Sequence, residues 1–197
     1  MTTPIQRREF LKSSAALGVI AAAGKLGAQP GFRSPKLGKV RVGFVGAGLQ
    51  GTGHIRNLLK IANVELVAIC DIVPAHAEKA QQLTVEAGQP KPDLYTRGET
   101  DYKRLCARND IDLVYNATPW RWHTPVMVEA MENGKHAATE IPAAVTIEEA
   151  WQLVETAERT GKHCVQMENC NYDRIELMVL NMVRKGLLGD LIHARCG

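Results

Sequence analysis

The sequence predicts an α/β protein built on a doubly wound parallel sheet, and three observations carry that prediction. Valine-rich apolar runs alternate with helix-period segments from Val40 onward, the order of parallel strands joined by crossover helices. The first run, Val40 to Val45, passes at once into Gly46-Ala47-Gly48-Leu49-Gln50-Gly51, a G-x-G-x-x-G spacing between strand and helix. A second run, Val64 to Cys70, ends on Asp71, twenty residues after the last glycine.

The elements follow in order from local signals. Strands are predicted at 39–46, 64–70, 111–116, 135–140 and 162–167, with a weaker one near Asp93–Tyr95. The first helix covers roughly Gln50–Lys60. The second, Pro74–Ala87, stops at Gly88, with Pro90 and Pro92 beyond it. Tyr102–Ala107 is a short helix. Thr124 followed by Pro125 reads as an N-cap with proline at the first helical position, and Asn133-Gly134 ends that helix. Thr146 and Glu149 have the spacing of a capping box. Ile147, Ala150, Trp151, Val154 and Ala157 then fall on one apolar stripe, which predicts a core position for Trp151. Ile175, Met178, Val179 and Met182 form a second stripe, and packing accounts for it better than a cofactor does.

The glycine run has a specific chemistry. Gly46 suits the tight strand-to-helix turn, Gly48 lets backbone approach a pyrophosphate, and Gly51 lets the helix pack on the strand. The free N–H groups of that helix's first turn then face an anion. Asp71 is placed to accept hydrogen bonds from an adenosine ribose. In such sheets ligands bind at the carboxyl ends of the strands, and polar clusters follow three of those ends here. They are Asn116 through His123, Glu140-Ile141-Pro142, and Glu168 through Tyr172. Three clusters at three strand ends predict one crevice.

Composition narrows the class. The chain has 197 residues, 45% hydrophobic and 23% charged, enough for one domain with a real core and part of another. The net charge is +3, with no basic stripe carrying interleaved aromatics, which argues against nucleic acid as a partner. Five cysteines with no C-x-x-C argue against a disulfide framework or a thiolate zinc site. All five read as structural, Cys170 alone lying near the expected site. His54, His76, His136, His163 and His193 lack metal-ligand spacing and read as ordinary structural or surface residues.

Residues 1–28 read as a twin-arginine export signal. Arg7-Arg8-Glu9-Phe10-Leu11-Lys12 precedes an apolar stretch from Ala15 to Ala23, too short to span a bilayer, and Leu26-Gly27-Ala28 offers small residues for cleavage. Gln6 stands where Ser or Thr is more usual. The expected partner is the twin-arginine machinery, the expected location the periplasm, and no membrane span is expected in the mature chain. Residues 29–38 read as a leader and 39–190 as the nucleotide-binding domain. Residues 191–197 read as the first of a truncated second α/β domain that would carry the substrate contacts. The sequence leaves the oligomeric state open, a homo-oligomer included.

The crevice clusters together with Gly186-Leu187-Leu188-Gly189 resemble the Gfo/Idh/MocA superfamily of NAD(P)-dependent sugar enzymes, over about Lys39 to Gly197. Most of that superfamily carries Glu-Lys-Pro after the fifth strand, where the lysine helps deprotonate a substrate hydroxyl. Here Ile141 replaces it. Ala117-Thr118-Pro119-Trp120-Arg121-Trp122-His123 and Met167-Glu168-Asn169-Cys170-Asn171-Tyr172 are similar to glycoside hydrolase family 109. That resemblance implies glycoside cleavage through a tightly held NAD, with oxidation at the sugar's C3, loss of the C2 proton, elimination, water addition and return of the hydride. Paired carboxylates are then not required, and Glu148-Glu149 is a helix start.

The resemblance also implies roles. Leu49 and Gln50 would meet the pyrophosphate with their backbone amides, beside Gly46 and Gly48. Asp71 would bind the adenosine ribose and favour NAD, since no arginine follows to receive a 2′-phosphate. Trp120, Arg121, Trp122 and His123 would wrap the cofactor, Glu140 and Ile141 would lie near the nicotinamide ribose, and Asn169 would contact the nicotinamide side. The substrate would be a small sugar, an α-N-acetylgalactosaminide in the first reading. Two alternatives stand beside it: a periplasmic sugar or polyol oxidoreductase of the same superfamily, and an NAD-binding module without catalysis.

Overall fold

A computed structural model describes residues 37–168 and 170–193; the predicted export segment, Asn169 and Cys196 lie outside the described residues. In chain order the elements are β1 (Val40–Val45), α1 (Leu49–Leu58), β2 (Val64–Cys70), α2 (Pro74–Glu86), β3 (Asp93–Tyr95), α3 (Tyr102–Cys106) and β4 (Leu113–Asn116). A single 3-10 turn (Trp120–Trp122) leads into α4 (His123–Glu132), followed by β5 (His136–Thr139), α5 (Ile147–Thr160), β6 (Cys164–Gln166) and α6 (Arg174–Arg184). The six strands form one sheet in the order β3-β2-β1-β4-β5-β6, and every pairing is parallel. The order reverses between β1 and β4, the switch point at which such sheets bind ligands.

Apolar side chains cover both faces of the sheet. Phe44, Ile55, Leu66, Ile69 and Ala77 pack on one side, where Phe44 stacks on Tyr115 at 4.9 Å between ring centroids. Leu105, Val126, Met127, Met131 and Leu153 pack on the other. Each large side chain buried this way is worth roughly 1.5–3 kcal/mol of transfer free energy. The strand ends that present the site therefore stand on a rigid base.

The helix ends show why the chain stops and starts where it does. Pro74 opens α2, where its missing N–H costs nothing. The capping box of α5 is present: Thr146 Oγ1 accepts from the Glu149 N–H at 3.2 Å, and Glu149 Oε2 accepts from the Thr146 N–H at 3.3 Å. Gly161 closes α5 in the left-handed conformation, φ 65°. One boundary differs from expectation. Because the 3-10 turn already supplies helical backbone, α4 starts at His123, and Thr124 is not its cap; the Thr124 hydroxyl instead donates to the Ala143 carbonyl at 3.2 Å.

The predicted core position of Trp151 is corrected. Trp151 is 61% exposed and Ile147 74%, because α5 turns Leu153 and Thr156 inward and sets the Ile147–Trp151–Val154 stripe outward. The second stripe behaves alike, with Ile175 68% exposed and Met178 and Val179 also exposed. Among the described residues no helix is long and apolar enough to cross a membrane.

Candidate functional site

The turn from β1 into α1 is shaped by two glycines. Gly46 has φ 90°, and a Cβ there would meet the Ala117 carbonyl oxygen at 2.6 Å. A Cβ on Gly51 would come within 1.9 Å of the Gly46 carbonyl oxygen, so only glycine lets α1 sit this close to the strand end. Gly48 is the N-cap of α1; no side chain caps that end and no acidic residue lies in its first turn. Leu49, at the first helical position, is 97% exposed. The amides of Leu49 and Gln50 thus stand at an uncapped helix N-terminus, the arrangement that holds a phosphate.

Asp71, at the end of β2, is buried, and its carboxylate accepts from the Ala47 N–H at 2.7 Å and the Val73 N–H at 2.8 Å. His76 Nδ1 is 3.6 Å away. The acid therefore stands beside the glycine turn, fixed by two amides.

Asn116, fully buried at the end of β4, organises the next loop. Its amide donates to Thr139 Oγ1 at 3.1 Å, and its oxygen accepts from the Thr118 backbone N–H at 3.2 Å and the Thr118 hydroxyl at 2.8 Å. The loop then presents the 3-10 turn. Trp122 is half-buried, edge-on to Tyr102 at 5.9 Å, with the Arg121 guanidinium 5.6 Å from its ring. Arg121 pairs with Glu99 at 2.7 Å. Gly46, Asp71, Glu99, Tyr102, Arg121 and Trp122 all line one cleft. Cys70 adds to its wall; burial, with Asp101 and Asp71 adding to it, pushes that thiol up to about 12, so it is an apolar surface and not a nucleophile.

Two of the predicted wrapping residues are not among those lining this cleft. Trp120 is 64% exposed and does not line this cleft. His123 is buried, with Nδ1 2.6 Å from the Pro142 carbonyl oxygen and Nε2 2.7 Å from that of Thr118. Those contacts tie the loop after β4 to the segment after β5, a structural place for this imidazole.

Glu140, at the end of β5, lines a second cleft with His54, Asn57, Tyr115, Met167 and Glu168. Its backbone N–H donates to the Asn116 carbonyl at 3.0 Å, one carboxylate oxygen accepts from the Ile141 N–H at 3.2 Å, and the other pairs with His54 Nε2. Burial, with Glu140 adding to it, pushes the Tyr115 phenol up to about 12. Gly46 lines the first of these clefts, Glu140 the second, and Gly48 and Leu49 a third. Sequence reasoning missed His54. Its signal was available, since His54 falls one helical turn after Gln50 on the helix that carries the glycine turn. Among the described residues no three acidic, histidine or cysteine side chains are grouped to hold a metal.

The residues present fit a dinucleotide: an uncapped helix end for the pyrophosphate, an anchored acid for a ribose, and an aromatic-walled cleft beside it. Comparison with known proteins agrees. The oxidoreductase family with an NAD-binding Rossmann fold, Gfo/Idh/MocA, matches residues 40–168. A "Glycosyl hydrolase family 109 protein" of Shewanella woodyi is 52% identical over 163 residues, 83% of this chain and 35% of that protein. An "Alpha-N-acetylgalactosaminidase" of Shewanella oneidensis is 45% identical over 205 residues, 96% of this chain and 45% of that protein. Among solved structures, the WlbA dehydrogenase of Chromobacterium violaceum in complex with NADH and UDP-GlcNAcA is 26% identical with TM-score 0.67, covering 79% of this chain and 42% of that one. The chain spans less than half the length of these relatives.

Proposed function

The chain belongs to the Gfo/Idh/MocA oxidoreductase family with its NAD-binding Rossmann fold, and from that premise we propose that it is the cofactor-binding part of an NAD-dependent glycosidase acting on α-N-acetylgalactosaminides. One observation carries the cofactor half of this reading: the uncapped N-terminus of α1 and the Asp71 carboxylate meet at a single turn. The glycosidase half is supported by the names of the relatives at 45% and 52% identity. The apolar Ile141 supports it too, standing where a hydroxyl-deprotonating lysine is usual.

A dinucleotide held here would supply a hydride acceptor and donor for the sugar's C3. The chain's own residues bind and orient. The Leu49 and Gln50 amides and the α1 dipole would hold the pyrophosphate. Asp71 would accept from the ribose hydroxyls and, carrying negative charge, would repel a 2′-phosphate. Trp122, Tyr102 and Arg121 wall the cleft beside Asp71. Glu140 stands at the opposite end of the site. In the overall reaction the C3 hydroxyl is oxidised, the C2 proton is lost, the aglycone leaves, water adds, and C3 is reduced, so no net redox equivalent accumulates.

The test is hydrolysis of an aryl α-N-acetylgalactosaminide by the full-length protein. Turnover without added NAD and without accumulation of NADH is expected. The family's oxidoreductase chemistry supports a second reading, a sugar or polyol dehydrogenase. Steady NADH production from a free sugar, with no glycoside cleaved, would establish it in place of the first.

A further inference from the structure

We propose that His54 is a positioning residue for the nicotinamide end of the cofactor, acting through Glu140. The inference rests on the NAD-binding reading alone and is independent of whether the full-length protein cleaves glycosides.

The geometry assigns this role in three steps. His54 and Glu140 are 86 residues apart in sequence, and their pairing joins α1 to the end of β5. Both side chains are largely withdrawn from water, 19% and 10% exposed, so the pair forms where its attraction is weakly screened and a lone carboxylate would be costly. The remaining Glu140 oxygen is taken by the Ile141 N–H, and the Glu140 backbone N–H is taken by the Asn116 carbonyl. One carboxylate therefore fixes the backbone after β5 through one oxygen and the helix through the other.

The imidazole stands one helical turn from the glycine turn, and because its Nε2 is given to Glu140 the Gln50 amide is a neighbour of that nitrogen and not its hydrogen-bond partner. Gln50 Nε2 is 3.4 Å from His54 Nε2, one helical turn along α1. Tyr115 flanks it from β4, ring centroids 5.3 Å apart. Gln50 belongs to the first turn of α1, whose amides face the pyrophosphate, whereas Glu140 stands at the strand end beyond β4. Helix α1 thus carries both the pyrophosphate-facing first turn and, one turn on, the imidazole that holds Glu140. Ile141 brings no charge to this end, which leaves orientation there to the paired carboxylate. Without His54, Glu140 loses its partner, and the backbone after β5 loses the tie that sets it against α1.

The experiment compares NADH with ADP on the full-length protein stripped of bound nucleotide. ADP keeps the adenosine and both phosphates but has no nicotinamide ribose. His54→Ala is expected to weaken NADH by roughly tenfold, the loss of one hydrogen bond to a charged group, while ADP changes by less than about twofold. His54→Gln, which keeps a donor for Glu140, is expected to restore most of the NADH affinity, and it provides the measurement if the alanine variant does not fold. In a Glu140→Gln background, His54→Ala is expected to add nothing further, because the two residues act as one unit. Equal weakening of NADH and ADP, unchanged NADH affinity, or a full His54 effect in the Glu140→Gln background would each overturn the proposal. Failure of the unmodified protein to bind either nucleotide would overturn the cofactor reading together with it, whereas absence of glycoside cleavage would touch neither.

Discussion

The Asp71 carboxylate accepts the backbone N–H of Ala47 at 2.7 Å, so the acid ending β2 holds the glycine turn ending β1. Its other oxygen accepts from Val73. The residue that would select the ribose is therefore also a strut of the phosphate-binding loop. Replacing Asp71 with Ala removes both contributions, and NAD affinity of the full-length protein is expected to fall by about 1–3 kcal/mol. Titration with NAD and NADP checks this. Equal affinity of the unmodified protein for the two would show that the carboxylate does not discriminate a 2′-phosphate.

The glycine turn makes a sharper prediction, because two glycines of one helix should behave oppositely. A Cβ on Gly51 meets the Gly46 carbonyl oxygen at 1.9 Å, whereas a Cβ on Gly53 meets nothing within 4 Å. Gly51→Ala forces α1 away from the strand end, with loss of nucleotide binding and a lowered melting temperature. Gly53→Ala relieves a helix-interior glycine and is expected to stabilise by about 0.5–1 kcal/mol. Thermal melts of both variants, read beside NAD titration, test the pair; a harmless Gly51→Ala would contradict the packing.

At the amino end of the sheet Asp112 accepts from Arg41 three times, from the backbone N–H at 2.8 Å and the guanidinium at 3.0 and 2.8 Å. Hydrogen bonding from Arg41 holds the Asp112 carboxyl below the usual carboxylate range. A folded value below the unfolded one, about 3.9, stabilises the fold above that pH and ceases to do so as pH falls through the folded value. Asp112→Asn is therefore expected to lower the melting temperature at pH 7, with the gap to the unmodified protein closing below about pH 4. A gap constant down to pH 2 would mean that the carboxylate's charge contributes nothing. Exposure of Arg41 keeps the effect modest.

Alternating periods, the glycine spacing and Asp71 reveal the fold, because each is a local constraint that strands and turns impose on the residues themselves. Even the three-residue β3 was legible, from Asp93–Tyr95. What failed was assignment of helix faces. Period identifies a stripe on α5 but not which side meets the sheet, and α5 buries Leu153 and Thr156 while Trp151 points out. The candidate site was readable in the glycine turn at Gly46 and Gly48 and in Asp71 at its fixed spacing from that turn. It was not legible where two distant segments meet, because nothing in the spacing of His54 and Glu140 announces their pairing. His123 shows a related limit: its place after a strand end suggested a cofactor contact, and the spacing could not announce the two backbone carbonyls its ring nitrogens meet.

Export is a proposal carried by the sequence alone, and it has its own test. The translocase reads the arginine pair, so changing Arg7 and Arg8 to Lys is expected to hold the precursor in the cytoplasm, while the unmodified protein reaches the periplasm and begins at Gln29 after cleavage. Fractionation followed by N-terminal sequencing distinguishes the outcomes. Normal periplasmic accumulation of the double-lysine variant would exclude this route.

The proposed chemistry leaves an isotopic trace that no acid-catalysed glycosidase leaves. Oxidation at C3 acidifies the neighbouring C2–H, so cleavage passes through loss of that proton and its later replacement from solvent. Product formed by the full-length enzyme in heavy water is then expected to carry deuterium at C2, whereas a two-carboxylate mechanism leaves C2–H untouched. The aglycone departs from a carbanion next to it rather than by protonation alone. Rates across aryl leaving groups of different acidity are accordingly expected to vary little if C2–H cleavage limits turnover, and substrate deuterated at C2 should then react more slowly. Both readouts follow the bond being broken, and so they separate the hydrolase from a dehydrogenase even where the cofactor is bound identically. Hydrolysed product free of deuterium at C2 would remove the elimination route, leaving the Asp71 and His54 predictions standing on nucleotide binding.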